Sequence, residues 1–342
     1  MPTLTRSDAL QALDEPRCHP KEGLEMKAYL LKRLLSVIPV LFIVSTVVFL
    51  IIHLTPGDPA AVMLGDEASQ EQLTELRRQL GLDLPMHEQY VSWITHALRG
   101  DLGQSFFMHQ SVMEAIVSHI GPTVSLAILA QIVAIVIAIP LGIIAARNKG
   151  TATDQSVMVF SLLGMSIPNF LLSLFLILAF SVSLRWLPVA GYQPLSEGLW
   201  AHLRFLILPA IALGTAHAAL IARMTRSSML EVLNANYIKT ARAKGVQERF
   251  VIYKHALRNA FLPILTVIGQ SFLTLMGGTA IVETIFGIPG IGQLIVNGVM
   301  RRDYAVVQGA VLYVTFAFVF INLAVDMLYG VVNPQVRLGQ KG

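Results

Sequence analysis

Six largely uncharged apolar runs constrain this chain more than any other feature: Leu34 to Ile52, Val124 to Ala146, Val157 to Leu184, Leu203 to Ile221, Leu262 to Ile281 and Ala305 to Val332. A helix needs about 20 apolar residues to cross the hydrocarbon core of a bilayer. A spanning segment must also satisfy its backbone polar groups internally, so only helices or a closed barrel qualify. The runs are continuous rather than alternating, which selects helices. The expected fold is therefore an all-α polytopic membrane protein with six transmembrane helices. With 54% hydrophobic and 13% charged residues, the chain has no composition for a soluble domain. The first run is too long for the core of a signal peptide and no small-x-small cleavage pattern follows it, so it is read as a retained helix.

The links between runs alternate in charge. Arg147 and Lys149 follow the second run, the link around Trp186 to Tyr192 is nearly neutral, and basic residues crowd between Arg223 and Arg258. The positive-inside rule puts the basic links and both termini in the cytoplasm, with Arg337 and Lys341 at the far end, although Arg301 and Arg302 count against that scheme. Orientation accounts for the basic residues and the net charge of +4, so nucleic acid is not an expected partner. Cys18 is the single cysteine, which excludes an internal disulfide and a cysteine metal cluster.

Glu231 to Pro263 is the densest polar and basic stretch. Leu230, Val232, Leu233, Tyr237 and Ala241 fall near a helical repeat, and Gly245 stands where a helix would stop in the left-handed conformation. A second amphipathic run through Phe250, Val251, Lys254, His255 and Arg258 lasts until Pro263. Two short helices meeting at a glycine bend are expected. Small Ala241 and Ala243 would let another surface approach, while Arg242 and Lys244 offer it charge. That is the shape of a docking element.

Outside the membrane, residues 54–121 form a polar loop. Ser69 with Gln72 reads as a capping box and Gly81 as the stop of that helix, and a second helix is expected from Pro85 to Gly100. The loop serves either as a surface that meets a partner or as a cap that only packs. Residues 1–25 carry no helical or strand period and are read as a disordered extension or a start placed too early.

Gly287-Ile-Pro-Gly290-Ile-Gly292 lacks the Gly-Lys-Ser/Thr ending of a phosphate loop and follows no strand, so it reads as a turn or re-entrant segment. No nucleotide motif and no catalytic set is present, which makes the chain a non-enzyme with no cofactor of its own. Polar residues inside spans mark transport paths or helix interfaces. Glu283 at the close of the fifth helix, Asn322 and Asp326 on the sixth, and His217 on the fourth are the candidates. His87, His96, His109 and His119 lack ligand spacing, so no metal site is assigned.

Tyr237-x-x-Thr240-Ala241-Arg242-Ala243-Lys244-Gly245, followed by His255-Ala-Leu-Arg258-Asn259-Ala-x-x-Pro263, resembles the cytoplasmic signature loop of ABC-importer permeases of the dipeptide/oligopeptide/nickel family. The likeness extends from about Met26 through Ser166-Ile-Pro168-x-Phe170, Arg223-x-x-Arg226, Gly277-Gly278 with Glu283, Arg302-Asp303-Tyr304 and Asn322-Leu-x-x-Asp326-x-x-Tyr329. Asn333-Pro334-Gln335 departs from the family's usual Asp-Pro-Arg.

The resemblance implies a type I ABC-importer permease fold. Its parts would be a polar extension (1–25), a first helix (26–53), an extracytoplasmic subdomain (54–121), a five-helix core (122–332) holding the coupling loop (223–260), and a cytoplasmic tail (333–342). It also implies a bacterial inner-membrane location, a second homologous permease subunit, two ABC ATPase subunits that use ATP and Mg, and an extracytoplasmic solute-binding protein. Tyr237, Thr240, Ala241, Arg242, Ala243, Lys244, Gly245, His255, Arg258 and Asn259 would couple to the ATPase, while Glu283, Asn322 and Asp326 would line the path or gate. Di- or oligopeptides are the expected cargo, with nickel, glutathione or another small solute as alternatives. An ion-coupled secondary transporter is the rival of another class, but it would need midplane ion sites and an inverted repeat, which the sequence does not display.

Overall fold

The computed structural model describes residues 22–54, 58–64, 69–79, 81–277 and 279–332. The chain divides into two units, residues 1–43 and 44–342. The described part of the first is the opening of helix α1 (Glu22–Leu54), which begins ahead of Met26. The reading of residues 1–21 lies outside the described residues, as does that of the tail from Asn333. In this unit Leu35, Ile38, Val40, Phe42 and Ile43 are exposed, as a lipid-facing helix requires.

The second unit opens with the end of α1 from Val44, and three short helices follow, α2 (Pro59–Leu64), α3 (Gln70–Gln79) and α4 (Met86–Leu98). The capping box is present: Ser69 Oγ accepts from Gln72 N at 3.2 Å and Gln72 Oε1 accepts from Ser69 N at 3.0 Å. Tyr90 on α4 shares a 2.8 Å hydrogen bond with Ser45, and its ring meets Phe49 edge-on.

Helices α5 (Val112–Arg147) and α8 (Leu199–Leu233) form the spine. Small residues recur every fourth position on both, at Ala130, Ala134, Ala138, Gly142 and Ala146 on α5 and Ala210, Gly214, Ala218 and Ala222 on α8, and all are buried. Where lipid offers no hydrophobic drive between helices, such stripes let backbones touch and gain dispersion energy. The approach is close enough that a Cβ at Gly214 would run into the Ala130 carbonyl and one at Gly142 into the Ala222 carbonyl and Thr225. These pairings also make α5 and α8 parallel.

Between them the chain returns through α6 (Ala152–Ser166) and α7 (Asn169–Ser183), bent 98° to each other. The span expected over 157–184 is thus broken at Pro168. Ile167 precedes Pro168, and the proline ring drives it out of the helical region to φ −80, ψ 119.

After α8 come α9 (Asn236–Ala243) and α10 (Glu248–Gly277). The second short helix expected up to Pro263 is corrected too, because α10 continues through that proline as the fifth span. It opens with a π-helical stretch over Val251–Ala256, and a membrane helix tolerates an internal proline when local adjustment re-satisfies the freed backbone groups.

Helices α11 (Ala280–Phe286) and α12 (Ile291–Met300) make a pair bent by 85°, with Gly287 left-handed at the turn, and α13 (Tyr304–Val332) closes the described chain. Glu283 thus lies on α11 rather than closing the fifth helix, which stops at Gly277, as glycine favours. Among the described residues, four helices are long and apolar enough to cross a membrane, or up to six when each bent pair counts as one span. The chain is a multi-pass membrane protein. The last part of the segment 54–121 is helical, since α5 begins at Val112.

Candidate functional site

Two regions gather the candidate residues. The first is the end of the bundle reached by α8. Only Asn234 and Ala235 separate α8 from α9, and Ile238 anchors α9 by burying fully beside Met229, Val251, Ile252 and Ala256. The rest of α9 stays open, with Tyr237, Lys239, Thr240, Arg242 and Ala243 exposed and Ala241 half-buried.

The bend follows from chemistry at Gly245. At φ +77 it takes the left-handed conformation, its N–H donates to Arg242 O at 2.9 Å, and Val246 N donates to Ala241 O at 3.2 Å. This is the Schellman pattern that satisfies carbonyls at a helix end. Arg242 then reaches over the bend and grips Glu248 through Nη2 at 2.7 Å and Nε at 3.1 Å. That carboxylate raises the Arg242 pKa, so the guanidinium stays charged.

Tyr237, His255 and Asn259 also come together. Asn259 Nδ2 donates to the Tyr237 hydroxyl at 2.7 Å and to the His255 carbonyl at 3.1 Å. Lys244 and Arg258 are exposed beside this cluster, and Thr240 turns its hydroxyl to Asn236 O of its own helix at 3.1 Å. The arrangement is a rigid bent hairpin presenting polar, basic and aromatic groups, with Phe250 and Tyr253 exposed next to it.

Spacing in the sequence did not reveal the tether behind this hairpin. Arg226 on α8 forms a two-pronged ion pair with Asp154 on α6, Nε to Oδ1 at 2.5 Å and Nη2 to Oδ2 at 2.7 Å, and Gly150 N adds a bond to Oδ2 at 3.0 Å. The signal available was a lone acid at the start of a span, 72 residues from its partner.

The second region is the buried carboxylate of Glu283, which is 0% exposed. Its Oε1 accepts from Thr123 Oγ1 and Thr279 Oγ1, both at 2.8 Å, and Oε2 accepts from Gln293 N at 2.9 Å. Thr123 Oγ1 in turn accepts from Ile291 N at 2.8 Å. One carboxylate and one hydroxyl so cap the first turn of α12, where unpaired N–H groups and the helix dipole favour negative charge. A cavity lined by Ile120, Thr123, Met276, Ile291, Tyr313 and Phe318 adjoins the same place.

The other path candidates do not join Glu283. Asn322 is half-buried on α13, and the side chain of Asp326 lies outside the described residues. His217 is half-buried on α8. Of the loop histidines, His96 on α4 and His119 on α5 turn a ring nitrogen to a carbonyl of their own helix, at 2.8 and 2.6 Å.

Known proteins resemble this chain over most of its length. Residues 138–338 match the family described as binding-protein-dependent transport system inner membrane component, and residues 26–127 match that family's N-terminal model. A probable peptide ABC transporter permease of Sinorhizobium fredii is 40% identical over 91% of this chain and 100% of its own. A putative peptide transport system permease of Brucella abortus is 45% identical, and a glutathione transport system permease of Shigella flexneri 44%, each over 91% of this chain and 99% of its own. Among solved structures, an inward-facing crystal form of the MetNI methionine ABC transporter aligns with TM-score 0.55 at 20% identity, covering 65% of this chain and 97% of that one, a likeness of fold. The chain belongs to the family of binding-protein-dependent transport system inner membrane components and is the permease subunit of an ABC importer, not an enzyme.

Proposed function

We propose that this permease imports di- or oligopeptides across the bacterial inner membrane as half of a path shared with a second, homologous permease. The observation that carries the cargo reading is the full-length similarity to proteins named peptide permeases. Glutathione is the second reading, favoured by relatives named for it at a similar identity. It is itself a small peptide, so both cargoes offer an ammonium, carboxylates and amides to one path.

The bent hairpin of α9 and the start of α10 faces the cytoplasm, as do both termini, and docks on an ATPase. Tyr237, Thr240, Ala241, Arg242, Ala243, Lys244, Gly245, His255, Arg258 and Asn259 supply that surface. A pair of ATPase subunits holds the ATP and Mg; a solute-binding protein delivers cargo on the opposite face. Closure of the ATPases favours one shape of the bundle over the other, so energy enters as a shift of population. Glu283, Asn322 and Asp326 line or gate the path.

The test is ATP-driven uptake in vesicles holding the assembled transporter, with labelled dipeptide, longer peptide, glutathione and Ni²⁺ offered in turn. Peptide uptake that stops without ATP supports the reading. Uptake of Ni²⁺ alone sinks the cargo assignment, and uptake abolished by a protonophore at constant ATP sinks the ABC mechanism. Gly245→Val, which forces a β-branched residue into the left-handed region, is expected to abolish uptake while insertion persists. Normal uptake by that variant would remove the docking role.

A further inference from the structure

The Asp154–Arg226 pair stands at a junction the coupling hairpin alone does not explain. Arg226 lies two turns from the end of α8, and α9 follows α8 with a two-residue link. On the other side Asp154 opens α6, the first arm of the broken span.

Helix α6 packs on α8 along one narrow face, with Gly164 close beside Thr215 and Ala219 near its far end. It exposes Val159, Phe160, Leu162, Leu163 and Met165, and its buried side chains are Asp154, Val157 and Ser161. Ser161 and Ser166 bond carbonyls of their own helix. Among the described residues, the ion pair is therefore the side-chain polar link that ties α6 to α8.

The chemistry of that link suits direction rather than strength. Asp154 is 3% exposed and the Arg226 side chain 24%, so both charges have lost most of their water. Desolvation offsets much of the attraction in such a pair, and apolar residues of similar volume often hold a fold as well. A planar guanidinium gripping two carboxylate oxygens instead fixes distance and angle together. Gly150 N–H completes the cradle and adds the link between α5 and α6 to the same rigid point.

We infer that the Asp154–Arg226 pair is a positioning strut through which movement of α9 and the foot of α8 is transmitted to α6, and past the bend at Pro168 to α7. The inference rests on the reading of α9 as the ATPase-docking element. Neither residue touches cargo or nucleotide; they act by keeping α6 in step with α8. Without the strut, ATPase closure would move the end of α8 while the amino end of α6 falls out of step with it.

The experiment measures both ATP hydrolysis and peptide uptake by the complete transporter in vesicles, and compares Asp154→Asn, Arg226→Gln, the exchanged pair Asp154→Arg with Arg226→Asp, and the apolar pair Asp154→Leu with Arg226→Met. The apolar pair is expected to assemble and hydrolyse ATP but to lose about fivefold or more in uptake per ATP, the size of a usual allosteric coupling. The exchanged pair is expected to recover most of that ratio over Arg226→Gln. A wild-type ratio in the apolar pair overturns the strut and leaves only a packing role, and no recovery in the exchanged pair also counts against it. If the single variants fail to assemble, the two paired variants still decide. Wild type and Gly245→Val run alongside: loss of ATP-driven uptake in wild type, or normal uptake in Gly245→Val, would indict the docking reading rather than the strut.

Discussion

Thr123 donates its hydroxyl to Glu283 at 2.8 Å across 160 residues of sequence, and the same hydroxyl oxygen accepts the Ile291 N–H. One side chain on α5 so serves both arms of the bent pair α11 and α12. Replacing Thr123 with Val keeps the shape and removes both bonds. It leaves a buried carboxylate and a helix N–H each short of a partner, expected to cost about 1–3 kcal/mol per group. Glu283→Gln turns an amide N–H₂ toward donors and should cost a similar amount. The double variant should lose less than the sum, because both changes damage one network. Thermal unfolding of the purified transporter measures all three; strict additivity would show that Thr123 and Glu283 act independently.

The α5–α8 contact makes a sharper claim about space. Gly142→Leu and Gly214→Leu each push a side chain into a backbone carbonyl of the facing helix. Overpacking of this kind costs about 1–3 kcal/mol where side chains can yield, and more where backbone must. Both variants are expected to fail in assembly. Gly121→Leu, also on α5 but with nothing within 4 Å of where a Cβ would stand, should behave as wild type. Equal yields for all three would mean the helices are farther apart than described.

The sequence announced what local chemistry determines. The capping box at Ser69 and Gln72, the left-handed stop at Gly245 and the turn at Gly287 to Gly292 each depend on residues a few positions apart, and each is present. Hydropathy found the spans because a continuous apolar run in lipid can satisfy its own backbone only as a helix. What hydropathy averages away is the break within a span, so the detachment of Glu283 from the fifth helix escaped it, and Pro168 permitted a kink without setting its 98° angle. The four-residue alternation of Ala and Gly on α5 and α8 was visible, but nothing in it says which two helices meet. Pairs such as Arg226 with Asp154 are set by tertiary contact alone, and a single sequence carries no trace of them beyond a polar residue at the edge of an apolar run.

Ser105 donates to Asp303 Oδ2 at 2.5 Å, while Asp303 Oδ1 caps α13 through Val306 N at 3.3 Å. Both residues are 2% exposed. The bond pins the turn at residues 105–110, which carries exposed Phe106, Phe107 and Met108, to the start of the last helix. Ser105→Ala leaves that oxygen without the hydroxyl and also removes the acceptor of Met108 N. The turn is expected to become protease-sensitive, with a stability loss of about 1–3 kcal/mol. Unchanged cleavage rates would show that the β-bridge between Gln104 and Ser111 holds it unaided.

At the hairpin the expected effects fall on coupling rather than stability. Tyr237→Phe removes the hydroxyl that accepts from Asn259, yet Asn259 keeps the His255 carbonyl. Glu248→Gln weakens the grip of Arg242 across Gly245, where side-chain exposures of 42% and 49% keep the pair screened. Each loss should therefore be about 1 kcal/mol or less in unfolding experiments. A docking surface depends on its shape, however, and both changes loosen the angle between α9 and α10. Uptake per ATP is expected to fall several-fold in either variant and further in the two combined, while the amount of assembled transporter stays constant. Loss of assembled transporter with an unchanged ratio would mean that these contacts hold the hairpin together but do not shape what it presents.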